Sequence, residues 1–203
     1  MRLHLKLLLA LTATLLGACS TQTYQPTTAV VNWEQHVRQL QLLDDWLLDG
    51  KLGYRDSREG GSAWVNWAQQ KDTFELKLNG PFGAGATYIS GHKSYAELQR
   101  AGHEKITATS PGALTQELFG WQWPVEQLQF WVRGIPSPIT QPDSQTHNPD
   151  GTLAQLNQSN WQLQFSGYQQ IDGWLLPDKI KGQHGDYKFT LVIKNWQPGD
   201  HTR

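Results

Sequence analysis

The only thiol in this 203-residue chain is Cys19. It closes the run Leu16-Gly17-Ala18-Cys19, which has the form of a bacterial lipobox. Small residues before such a Cys let the chain enter a signal peptidase. The Sγ takes a diacylglyceryl group, and cleavage frees the amine for a third acyl chain. What precedes Cys19 agrees with this chemistry. Arg2 and Lys6 make a basic start, and Leu7 to Leu16 is an apolar run shorter than the roughly 20 residues of a membrane span. A single Cys makes no intrachain disulfide. Burial of acyl chains is worth about 0.8 kcal/mol per CH₂, and two or more chains anchor stably. The sequence therefore predicts a leader over 1–18, a lipidated Cys19 with a polar tether over 19–31, and one domain over 32–203. Ser20 follows the Cys where Asp would favour retention at the inner membrane, so the expected location is the periplasmic face of the outer membrane.

The remaining reactive groups form no catalytic pattern. The chain has no HExxH, GxSxG, CxxC or P-loop. Outside the leader His36, His92, His103, His147, His184 and His201 are scattered without ligand spacing, and each is expected at the surface. Asp44-Asp45 reads as an element boundary. The expectation is a protein that is no enzyme, with no catalytic residue, metal or cofactor. An esterase would need a Ser–His pair that the sequence does not place. The formal net charge of −1 becomes −3 once Arg2 and Lys6 leave with the leader, which argues against nucleic acid.

What remains is apolar chemistry. Ten Trp stand out, since Trp suits sites greasy at one end and wet at the other. The stretch Asp72 to Gly91 is central. Phe74, Leu76 and Leu78 alternate with Glu75, Lys77 and Asn79, the period of a strand with one apolar face. The break Gly80-Pro81-Phe82-Gly83 has turn chemistry, and a second strand runs from Ala84 to Ser90. Phe82 at the tip either folds back over the sheet end or is held out toward an apolar partner.

Elements follow along the chain. A helix is predicted over Asn32–Leu43, with Trp33, Val37, Leu40 and Leu43 on one face and Asn32 as N-cap. Strands are predicted over Trp46–Arg55, Ser62–Gln69 (with Trp64 and Trp67 on opposite faces), Lys93–Arg100 and Glu104–Thr109. Two short helices follow, Pro111 to Leu118 and Pro124 to Gly134, around Trp121-Gln122-Trp123. Residues 137–151 read as a surface loop. Strands resume over Thr152–Gln158, Trp161–Ser166, Trp174–Lys181 and Tyr187–Trp196. About nine to eleven antiparallel strands, mainly β with helices, curl into a barrel or half-barrel. The two short helices must bury their apolar stripes against the sheet or across its open mouth, which makes the interior a candidate apolar cavity and Leu114, Leu118, Val125, Leu128 and Trp131 candidate lid residues. Alternation nominates Phe74, Leu76, Leu78, Trp161, Leu163, Phe165, Phe189, Leu191 and Ile193 as candidate cavity lining.

The ordered set LGAC-Ser20, WLLDGKLGYR, WVNW, FELKLNGPFGAGA, PVEQLQFWVRGIP and TLVIKNW resembles the LolB family over nearly the whole mature chain. The resemblance implies an open, unclosed antiparallel β-barrel of LolA/LolB type with a helical lid. It implies acceptance of triacylated lipoproteins from the carrier LolA and their insertion into the outer membrane without ATP. It also implies that the tip Pro81, Phe82 and Gly83 inserts into membrane, with Phe82 where relatives typically have Leu. The expected partners are LolA, the acyl chains of cargo lipoproteins and outer-membrane phospholipid, with the protein a monomer. A lipocalin-like periplasmic lipid-binding lipoprotein needs the cavity but neither LolA nor Phe82. A structural envelope protein would have a solid core.

Overall fold

The computed structural model describes residues 30–57, 59–80, 85–119 and 124–199. Cys19, residues 20–29 of the tether, Pro81, Phe82, Gly83 and Trp121-Gln122-Trp123 lie outside the described residues, as does the side chain of Leu118.

Helix α1 spans Trp33–Gln41, and Asn32 caps it by accepting the Gln35 N–H at 3.0 Å. The strands are β1 (Asp45–Arg55), β2 (Gly60–Gln70), β3 (Thr73–Asn79), β4 (Thr87–His92), β5 (Tyr95–Arg100) and β6 (Ile106–Ala108). Helices α2 (Pro111–Phe119) and α3 (Val125–Trp131) follow. Then come β7 (Ser144–His147), β8 (Leu153–Gln158), β9 (Trp161–Ser166), β10 (Gln169–Ile171), β11 (Trp174–Leu176), β12 (Lys179–His184) and β13 (Tyr187–Pro198).

Eleven of these strands form one antiparallel sheet in the order β6-β5-β4-β3-β2-β1-β13-β12-β9-β8-β7, and β10–β11 is a separate hairpin. Strands β6 and β7 are the two edges and do not pair with each other, so the sheet stays open. The chain between those edges carries α2 and α3. At the centre β1 pairs with β13 through a register shift at Asp49/Gly50. Gly50 is required there, because a Cβ would stand 2.6 Å from the Val192 carbonyl oxygen. Gly182 serves the inner face in a similar way. The Phe189 ring lies over it, 2.2 Å from where its Cβ would be.

Two predicted elements differ. Residues 137–151 hold β7, an edge strand paired with β8 and broken by a shift at Thr146/His147. Four exposed polar residues give no apolar alternation to read. The predicted strand over Trp174–Lys181 is two strands, divided at Pro177, which has no N–H for a ladder. With the three-residue β10, this raises the described strands to thirteen.

Arg133 locks the helical segment to the sheet. It is buried, and its Nη1 donates to the carbonyls of Leu40, in the last turn of α1, and Leu43, just beyond it, at 2.6 and 2.5 Å. Its Nε donates to the Gln129 carbonyl, and its guanidinium lies over the Phe130 ring at 5.0 Å. A cation at a helix C-terminus satisfies carbonyls that the helix leaves open. Burial draws the guanidinium pKa down to about 10, opposed by Asp44, so it stays charged at neutral pH. Arg133→Met keeps the aliphatic stem but takes the donor from the Leu43 carbonyl and one of the donors from that of Leu40, which keeps the Leu43 N–H at 3.2 Å. It should lower stability by about 3 kcal/mol, read as an earlier midpoint in urea.

Candidate functional site: the inner face of the open sheet

Side chains of one parity line the inner face, and their burial is uneven. Along β9 burial alternates fully, with Trp161, Leu163 and Phe165 buried and Gln162, Gln164 and Ser166 exposed. Phe189, Leu191 and Ile193 on β13 are buried likewise. These six join a core that includes Leu48, Trp67, Leu156 and Ile180. On β3 the same alternation stops at half-burial: Phe74, Leu76 and Leu78 pack against that core without being enclosed. A second, separate cluster of Ala96, Leu98 and Leu114 lies beyond, flanked by Ile89, Ile106 and Ala108. The inner face thus has two buried ends, with β3 and β4 between them.

The helices account for this division. Trp131 of α3 is buried, 6.2 Å from the Trp161 ring, and its Nε1 donates to Gln158 at 2.7 Å. Gln158, also buried, accepts from the Ser137 N–H and donates to the Ser137 and Thr140 carbonyls. That network fixes α3 over β8 and β9. Leu128 packs on the same core, and Val125 is half-buried. Leu114 instead places α2 against β5 and β6. Of the candidate lid residues, Leu114 and Trp131 therefore belong to different clusters.

Trp residues occur in two environments. Trp46 stands between Trp67 and Trp196 at centroid distances of 5.2 and 5.3 Å, and all three are buried. Trp67 and Trp64 do face opposite sides, with Trp64 55% exposed on the outer face.

His36 corrects the expectation of a surface imidazole. It is buried beneath α1, its Nε2 has no hydrogen-bond partner, and Trp33 lies 6.1 Å away. Helical spacing after Trp33 could have indicated this, since position 36 shares its face. Burial lowers the His36 pKa, only partly offset by Asp150. The folded state therefore binds this proton less readily than the unfolded chain. Stability should be full above the ordinary His value and fall as pH drops below about 6.5. His36→Gln should flatten that decline, measured as Tm against pH. Among the described residues no His, Cys, Asp and Glu cluster could hold a metal ion, and no helix is long and apolar enough to cross a membrane.

An unclosed antiparallel sheet with short helices over its apolar face defines the fold class. Solved structures agree on the fold. A LolA superfamily protein from Nitrosomonas europaea superposes with a TM-score of 0.53 at 6% identity, covering 84% of this chain and 94% of that one. An outer membrane lipoprotein-sorting protein domain from Vibrio parahaemolyticus, named as putative, gives 0.52 at 10% identity over 85% and 95%. Sequence narrows the class. The profile described as outer membrane lipoprotein LolB matches residues 44–196. The outer-membrane lipoprotein LolB of Pseudomonas putida (strain GB-1) is 39% identical over 94% of this chain and 93% of its own length. That of Pseudomonas aeruginosa (strain LESB58) is 38% identical over 94% and 92%. The chain belongs to the LolB family of outer-membrane lipoproteins, which acts in lipoprotein localisation.

Proposed function

We propose that this protein takes the acyl chains of triacylated lipoproteins from the periplasmic carrier LolA beneath its inner face. It then passes them to outer-membrane phospholipid without ATP. It does so as a monomer whose domain begins after a lipidated Cys19 and tether. The observation carrying this reading is the contrast between β9 and β3. Equivalent apolar positions are sealed on one and half-covered on the other.

Physical chemistry sets the requirements. Exposed acyl chains cost about 0.8 kcal/mol per CH₂ in water, so cargo must move from one apolar host to another. The intermediate host must hold the chains less firmly than a bilayer does. Half-buried Phe74, Leu76 and Leu78 offer apolar contact without a fully formed enclosure. The buried candidates on β9 and β13 are then the wall against which that contact is built. Leu114 and Trp131, held in separate clusters, let α2 and α3 part without opening either core. The strand pair β3–β4 carries both the half-covered face and, at its turn, Pro81, Phe82 and Gly83. Phe82 in the lipid surface would bring the loaded face to its destination.

A fluorescent acyl probe should gain intensity on binding and be displaced by LolA-bound lipoprotein. Leu76→Lys should reduce that uptake at least several-fold while the fold is kept. No uptake by the unaltered protein would favour a solid structural role. Phe82→Glu should leave acceptance from LolA intact and block release into liposomes. Normal release by that variant would favour a lipid-binding module that does not insert.

A further inference from the structure

The outer face of the sheet carries a feature that cargo transfer does not use. Trp64 leaves the wet side of β2 with 55% of its surface exposed. Its Cα partners are Lys51 on β1 and Asn79, the last residue of β3, so it stands beside the departure of the β3–β4 turn. Lys51, Arg55, Lys77, Lys181 and Lys188 share this outer face, and all five are exposed. Arg55 pairs with Lys188, and Lys181 pairs with Thr190 on the same strand. None of the five makes an ion pair among the described residues. They span five adjacent strands, about 20 Å at the usual strand spacing. Of the outward carboxylates on these strands, Asp45 and Glu75 stand toward the opposite end, whereas Asp49 is level with Lys77 and is bonded to Asn66 at 2.8 Å. The turns at the cationic end add Asp56, Glu59 and Asp186, of which Asp56 accepts the Glu59 N–H. The local excess is cationic on a chain whose formal charge is −1.

We propose that the outer face of β12, β13, β1, β2 and β3 is a second membrane-contact surface. It lies against anionic phospholipid headgroups, with Trp64 at the interface. An indole flanked by Lys and Arg is the pairing found at headgroup level, with its apolar body toward the acyl chains and its N–H toward water. Basic side chains near an anionic surface add attraction that salt screens. The surface rests on the reading that this body works at a bilayer, not on cargo transfer. It fixes which side of the molecule turns to the lipid when the β3–β4 turn meets it.

The test uses the full lipidated chain in vesicles of phosphatidylethanolamine and phosphatidylglycerol. With the Cys19 thiol acylated, Trp64→Cys gives one site for an environment-sensitive label, and Gln155→Cys on the outer face of β8 is the control. The label at 64 should be quenched several-fold more than the control by a lipid spin-labelled at headgroup depth. High salt, phosphatidylcholine vesicles, or Lys51→Glu with Lys188→Glu should each remove most of that difference. These positions face solvent, and unchanged melting verifies the fold. Equal water exposure of both labels overturns the proposal, as does quenching indifferent to charge. Charge reversal that leaves quenching intact but weakens acceptance from LolA would make this face a protein-docking surface instead. Persistent quenching in a chain whose Phe82→Glu releases cargo normally would sink the turn-insertion reading and support this one.

Discussion

An apolar sheet face has to be covered, and among the described residues the two helices between its edges are short. Eleven strands present one such face, while α2 and α3 have nine and seven residues. At 1.5 Å per residue these helices extend about 13 and 10 Å, less than the breadth of the sheet. Each secures one end: Trp131 over β8 and β9, Leu114 over β5 and β6. Phe74, Leu76 and Leu78 of β3, half-covered, lie between the two secured ends.

The polar network at the α3 end makes the arrangement specific. Arg133 and Gln158 are buried, and both spend their donors on backbone carbonyls. Buried polar groups are tolerable only when satisfied, and once satisfied they fix geometry. Here they tie α1, α3 and β8 into one unit. The α2 end has a smaller apolar cluster and lies beside the edge strand β6. The α3 end is therefore pinned by polar bonds and the α2 end by a small apolar cluster, with the half-covered face between them.

Much of this was legible in the sequence because the inner face obeys period two. Trp161, Leu163 and Phe165 alternate cleanly with polar neighbours, Phe189, Leu191 and Ile193 keep one parity around Thr190 and Val192, and all six are buried. Alternation gives the face but not the depth, which is why Phe74, Leu76 and Leu78 read the same as Trp161 yet stop half-buried. Depth depends on which helix lies above, a long-range fact. Strand β7 was illegible for another reason: an exposed polar edge needs only a partner's ladder, which Ser144 to His147 do not announce. His36 was misjudged because counting metal spacing ignored its place beside Trp33 on a helical face.

The pairing of β1 with β13 has one more consequence. These are the first and last strands of the described chain, and they meet at the middle of the sheet. Contacts of such long sequence separation form slowly, because a large loop must close before they contribute. The two halves cannot be joined until the C-terminal strand has been synthesised. Until then β1 lacks one of its two neighbours, so the inner face is completed as one surface only after the whole chain has emerged.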